Sequence, residues 1–146
     1  MTIPSDPLKL LRDYLYTNWS LTGADHPTKA EIGETGFTVH KKFSQITGLC
    51  VNVKRDTLDE PAMSTGDTPL RIASDYVVVQ TWTKNPDQLH NMVSEVSRIL
   101  QLAKQSCPTG IDDVDYLGVD PNEELLDEPQ PVYCMETQAV LTYKVS

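Results

Sequence analysis

The sequence predicts an α+β fold: a mixed or antiparallel sheet of about four to five strands, with an N-terminal helix and one long helix packed on one face. Three observations support this prediction. An amphipathic helix opens the chain, strand-like segments follow it, and a longer helix separates these from the last strands. Strands grouped in this way pair mostly with their neighbours, and the helices collect on one side of the sheet.

A chain of 146 residues is long enough for one hydrophobic core, and we expect a single domain over residues 1–146. No signal peptide and no apolar run of membrane-spanning length is evident, so we expect no membrane association. The three cysteines have no paired spacing, which favours a reducing compartment. Cys50 and Cys134 fall in strand-like segments, where small buried side chains are expected.

The first helix begins at Ser5-Asp6-Pro7, because a capping side chain precedes a proline near the first helical position. We expect this helix to end near Asn18. The apolar residues that continue it recur at helical spacing: Leu8, Leu11, Leu15 and Trp19.

The next segments predict two short strands and a long loop. Phe37–His40 has strand-like composition, and apolar residues alternate with polar ones over Leu49–Lys54, which predicts a half-buried strand. Asp56–Pro69 is rich in proline and acids, so we expect a projecting loop there.

The middle of the chain gives the clearest pattern. Tyr76–Thr83 is crowded with β-branched and aromatic residues, which predicts a strand that begins near Leu70–Ala73 with a possible bulge at Ser74–Asp75. Asn85 and Pro86 then predict the start of a long helix that ends near Lys104. Its apolar stripe consists of Leu89, Val93, Val96, Leu100 and Ala103.

The last part of the chain predicts a second projecting loop at about 112–131 and a closing strand. A short strand is expected within residues 111–119, and the acidic, proline-containing segment 120–131 is expected to be a loop. Residues 132–145 alternate in the manner of one long strand or a bent pair.

Net charge is −9, and the excess lies in one segment. Gln105 to Tyr143 contains nine acids and no Lys or Arg, whereas the remaining chain holds 12 acids and 12 bases. This distribution argues against tight binding of duplex DNA, which requires basic side chains that neutralise phosphates. It does not argue against a surface that DNA passes without binding.

The sequence contains no nucleotide-binding loop, zinc-protease motif or serine-hydrolase motif. Residues 113–124 match a calcium-binding loop in part, but Leu117 occupies a ligand position and Pro121 interrupts it, so a solvated acidic loop is preferred. Tyr76 and Trp82 share a strand face and suit either core packing, the preferred interpretation, or a ligand site. We therefore expect no enzyme activity, cofactor or metal.

Taken together, these elements resemble the tail terminator or tail completion proteins of long-tailed phages and related archaeal viruses. The resemblance lies in the order of the elements and in the residue pattern within each of them, over nearly the whole chain. The segments that carry it are Pro7–Asn18, Leu49–Arg55, Asp56–Pro69, Tyr76–Trp82, Pro86–Lys104 and Ala139–Val145.

This resemblance implies a non-enzymatic structural protein of the virion, assembled in the host cytoplasm. Such proteins form a homo-oligomeric ring, typically of six copies, that ends the tail tube and joins it to the head. The expected partners are a tail tube protein and a head-completion or connector protein. DNA is expected to pass through the ring without specific binding.

An acidic lumen would repel DNA phosphates, so we expect the two acidic loops to line it or to contact neighbouring subunits. The candidate residues are Asp56, Asp59, Glu60, Asp67, Asp112, Asp113, Asp115, Asp120, Glu123, Glu124, Asp127 and Glu128.

Two other classes of function remain open at this point. One is a cytosolic ligand-binding or regulatory α+β module, which a saturable thermal shift with a small molecule would favour. The other is an enzyme that uses carboxylates, which would require some of the acidic residues to line a concave pocket.

Overall fold

A computed structural model gives the fold and describes residues 6–22, 36–39, 49–59, 71–120, 124–126 and 132–145. In chain order the elements are α1 (Pro7–Asn18), β1 (Gly36–Val39), β2 (Cys50–Asp59), β3 (Arg71–Thr83), α2 (Pro86–Gln105), β4 (Asp113–Val119), β5 (Glu124–Leu126) and β6 (Val132–Val145). The chain is therefore α+β, as predicted, and its closing segment is one long strand.

All of these strands belong to one sheet. The strand order is β1-β2-β3-β6-β4, and the short β5 also pairs with β6. β1 runs parallel to β2, whereas the other pairs are antiparallel, so the sheet is mixed. β3 and β6 pair without a break from Arg71↔Val145 to Thr83↔Tyr133, and these two long strands form the centre of the sheet.

Both helices pack on the same side of the sheet, which we call the inner face; the opposite side is the outer face. One apolar core joins the predicted stripes of α1 and α2 to alternate residues of the strands. Its fully buried members include Leu8, Leu11 and Leu15 from α1, Val96 and Leu100 from α2, and Val51, Val53, Val79 and Leu141 from the sheet. Burying each such side chain contributes about 1.5–3 kcal/mol.

Local capping explains where the two helices begin. The Asp6 side chain accepts a hydrogen bond from the Leu8 backbone N–H at 3.0 Å, and the Asn85 side chain accepts one from the Asp87 N–H at 3.0 Å. A proline follows each cap, where a helix needs no backbone donor. Lys104 lies in the last turn of α2, where the helix dipole favours a cation.

A β-bulge interrupts β2 rather than β3. The register shifts between Arg55 and Thr57, which leaves Asp56 as the extra residue. The predicted bulge at Ser74–Asp75 is wrong, since β3 pairs with β6 without irregularity there. Asp75 fits a regular buried strand because Arg55 and Tyr143 donate hydrogen bonds to its carboxylate.

The predicted loops at 56–69 and 112–131 are wrong in part, because strands occupy some of their residues. Residues 56–59 belong to β2 and 124–126 form β5, whereas β4 at 113–119 confirms the short strand expected within residues 111–119. These polar segments form strands because their backbones pair with a long neighbouring strand, β2 with β3 and β4 and β5 with β6. The polar composition alone did not indicate this pairing. The remainder of both segments, residues 60–70, 121–123 and 127–131, lies outside the described residues.

The cysteines are all free thiols, and Cys50 and Cys134 are buried in strands as predicted. Cys107 is half-buried in the turn after α2. Among the described residues, neither helix has the length and apolar character needed to cross a membrane.

Candidate functional site

The strand register identifies the side chains of the outer face, because directly paired residues point to the same side of a sheet. Lys54 in β2 pairs with Val78 in β3, and Val78 pairs with Gln138 in β6. Within the part of the chain that the structure describes, neither helix packs on this face. The face has two halves that differ in burial.

One half of the outer face is closed to solvent. Cys50, Trp82 and Cys134 are neighbours across β2, β3 and β6, and all three are fully buried. Trp82 is therefore core, which confirms the preferred interpretation of this residue. Truncating a buried indole costs about 3–5 kcal/mol. This half of the face contributes to stability.

A row of hydrogen-bonded polar side chains, which we call the polar ladder, crosses four strands beside this cluster. The Thr38 hydroxyl donates to Oδ1 of Asn52 at 2.9 Å, and Nδ2 of Asn52 donates to Oε1 of Gln80 at 3.1 Å. Nε2 of Gln80 then donates to Oε2 of Glu136 at 2.9 Å. The first three residues are almost fully buried, so these bonds offset a desolvation penalty that would otherwise be large.

The Glu136 carboxylate determines which group donates and which accepts in each hydrogen bond of the polar ladder. An ionised carboxylate only accepts hydrogen bonds, so Gln80 must present its amide donor there and its oxygen to Asn52. Thr38 has one hydroxyl proton and gives it to Asn52; the 3.2 Å contact with Cys50 Sγ therefore has the thiol as donor. Aligned hydrogen bonds polarise one another, so the polar ladder behaves as one unit.

The other half of the outer face exposes apolar side chains. Tyr76 is 43% exposed and Leu117 is 52% exposed. Tyr76 also pairs with the half-buried Val140. Core packing, the preferred interpretation of Tyr76, is therefore wrong. We define the outer apolar patch as Tyr76, Leu117 and Val140 together with the buried Val78 beside them.

A shallow depression lies in the outer apolar patch between Tyr76, Leu117 and Gln138, with a volume of about 60 Å³. Small-molecule sites usually have roughly 300–1,000 Å³, so this depression does not favour a ligand pocket. It can accept part of one side chain from a neighbouring surface.

Leu117 lies in the outer apolar patch because it follows Asp115, whose partner Val140 is on the outer face, by two positions, and a second β-bulge occurs at the same point. The register between β4 and β6 shifts between Tyr116 and Gly118, which leaves Leu117 as the extra residue. The Tyr116 hydroxyl donates to Ser97 Oγ of α2 at 3.3 Å, so Tyr116 points to the inner side. Gly118 has φ +133°, which L side chains rarely adopt. The bulge places Gly118, which has no side chain, opposite Gln138 and next to the exposed Leu117.

β4 and its two ends form what we call the acidic edge: Asp112, Asp113, Asp115 and Asp120. Asp112 and Asp115 are exposed. The carboxylate of Asp113 accepts two hydrogen bonds from Lys104 Nζ, at 3.0 and 3.1 Å, and these raise the pKa of Lys104. Because β4 ends the strand order, this row of carboxylates lies at one side of the molecule.

The structure brings together only some of the predicted site residues. Asp112, Asp113, Asp115 and Asp120 lie on the acidic edge. Asp56 and Asp59 lie in β2, which β3 and β6 separate from β4, and Glu124 lies in β5. Glu60, Asp67, Glu123, Asp127 and Glu128 lie outside the described residues.

A buried ionic cluster that the sequence analysis did not identify joins α1 to α2; we call it the α1–α2 clamp. Glu95 is 5% exposed and accepts hydrogen bonds from Nε and Nη2 of Arg98 at 2.8 and 2.9 Å. It also accepts bonds from the Ser20 backbone N–H and, at 2.6 Å, from the Ser20 hydroxyl. Arg98 donates in addition to the Asn18 carbonyl at 2.7 Å.

The hydrogen bonds from Arg98 and Ser20 lower the pKa of Glu95 to about 2, although burial alone would raise it. The same pair raises the pKa of Arg98. One signal was present in the sequence: Glu95 follows Met92 by three residues, and therefore lies on the apolar stripe of α2.

A second buried carboxylate was also not identified from the sequence. Asp75 is fully buried on the inner face, where Nη2 of Arg55 and the Tyr143 hydroxyl each donate to its Oδ2 at 2.9 Å. The bond to Asp75 raises the pKa of Arg55. These hydrogen bonds satisfy the Asp75 carboxylate on the inner face. They do not connect to the polar ladder or to the outer apolar patch.

No three His, Cys, Asp or Glu side chains among the described residues are grouped so that they could hold a metal ion. No known protein family matches the sequence, and a search of curated proteins finds no similar protein. The outer face and the acidic edge are therefore the features from which a function can be inferred.

Proposed function

We propose that this chain is a structural virion protein that forms a ring at the end of a viral tail tube, joins the tube to the head and lets DNA pass. The element order resembles that of tail terminator and tail completion proteins. The single structural observation that supports the proposal best is the acidic edge, where Asp112 and Asp115 are exposed on a strand at the side of the sheet.

An acidic edge suits a surface that DNA passes. Phosphates are repelled by carboxylates, whereas a surface that retains DNA needs Lys or Arg to neutralise them. At physiological salt the repulsion extends about 8 Å, so it acts when the duplex comes close to the wall. In the proposed ring the acidic edge faces the lumen, and the charge keeps the genome from adhering.

The same architecture offers surfaces for assembly. Both helices pack on the inner face, and the outer apolar patch remains exposed on the other side. Exposed apolar patches on folded proteins often mark contact sites. In the proposed assembly, copies of the chain contact each other in a ring of about six, while its two ends contact the tail tube protein and a head-completion or connector protein.

Two measurements test this proposal. Light scattering and negative-stain images should show a closed ring, either in the free protein or on polymerised tail tube protein. Rings of the variant D112K/D115K should keep their diameter but retain DNA at low salt and release it at high salt, because the lumen gains positive charge.

A matched control shows whether DNA retention depends on where the charge is changed or only on the change in net charge. The variant D13K/D87K changes the net charge equally on α1 and α2, and should leave DNA retention unchanged. Absence of rings both alone and on the tube would contradict the proposal. Equal DNA retention by the two variants would contradict the assignment of the acidic edge to the lumen.

A further inference from the structure

We draw no further inference here: the strongest candidate, the outer apolar patch around the exposed side chains of Tyr76 and Leu117, carries nothing because nothing among the described residues shows what covers it.

Discussion

Replacing Glu95 by glutamine should destabilise the protein at neutral pH and have much less effect in acid. Glu95 is almost fully buried, and its charge is held by hydrogen bonds from Arg98 and Ser20. Glutamine keeps the shape and one acceptor oxygen but removes the charge. The other oxygen becomes an N–H donor that faces the donors of Arg98 or Ser20, so the substitution tests the charge of the α1–α2 clamp together with this second acceptor.

The expected size follows from the pKa of Glu95. A decrease from 4.5 to about 2 on folding corresponds to about 3 kcal/mol of stability at pH 7. The Arg98 side chain is 48% exposed, and water weakens such a pair. We therefore expect a loss of about 2 kcal/mol for the glutamine variant at pH 7.

The pH dependence has a definite sign. Because the folded pKa of Glu95 lies below the unfolded value, the stabilisation is complete above about pH 4.5 and is lost as the pH falls toward 2. The difference in unfolding free energy between wild type and Glu95→Gln should therefore fall to less than half of its neutral value at pH 3.

Urea unfolding at pH 7 and at pH 3, monitored by tryptophan fluorescence, measures this difference. Asp13→Asn is the matched control, since it removes a carboxylate from the more exposed Arg12–Asp13 pair on α1 and should cost less than about 0.5 kcal/mol. A Glu95→Gln loss equal at both pH values, or no larger than that of the control, would refute the reasoning.

Three further substitutions test other parts of the fold by urea unfolding at pH 7. Tyr143→Phe should cost about 1.5–3 kcal/mol, because Asp75 loses a buried donor; a loss under 0.5 would show that the hydroxyl is dispensable. Gly110→Ala should cost at least about 1 kcal/mol, because φ is +97° and the new Cβ would lie 3.0 Å from Leu10 Cδ1; unchanged stability would contradict this. Gln80→Leu should cost about 1–3 kcal/mol, because both neighbours in the polar ladder lose a buried partner; a neutral result would show that the ladder adds no stability.

The helices and the central strands were predictable from the sequence because their signals are local. Apolar spacing and a cap followed by proline define α1 and α2, and both helices begin at the expected residues. The run of β-branched and aromatic residues in β3 gave an equally clear pattern, because such residues favour the extended backbone of a strand.

The predictions failed where the structure of a segment depends on the strands that pair with it. The bulge at Asp56 depends on how β2 meets β3, and no local pattern in β2 encodes it. Asn52 was expected on the polar side of a half-buried strand, yet it is fully buried, because Thr38 and Gln80 from two other strands satisfy its amide. Such networks appear only once distant segments are side by side.

The candidate site was predictable in part for the same reason. The excess of acids after α2 was evident in the sequence, and four of those acids do lie along the acidic edge. The exposure of Tyr76 and Leu117 was not evident, because aromatic residues and leucines in strands are usually core. Burial in a sheet depends on which face is covered, and the sequence of one strand does not show this.

The most direct test of the proposed function is an electron-microscopic image of the purified protein mixed with the polymerised tail tube protein that the proposal assigns as its partner. The proposal predicts a closed ring at one end of each tube, coaxial with it and with an open centre wide enough for duplex DNA. Tubes with bare ends, or with this protein spread along their sides, would contradict it.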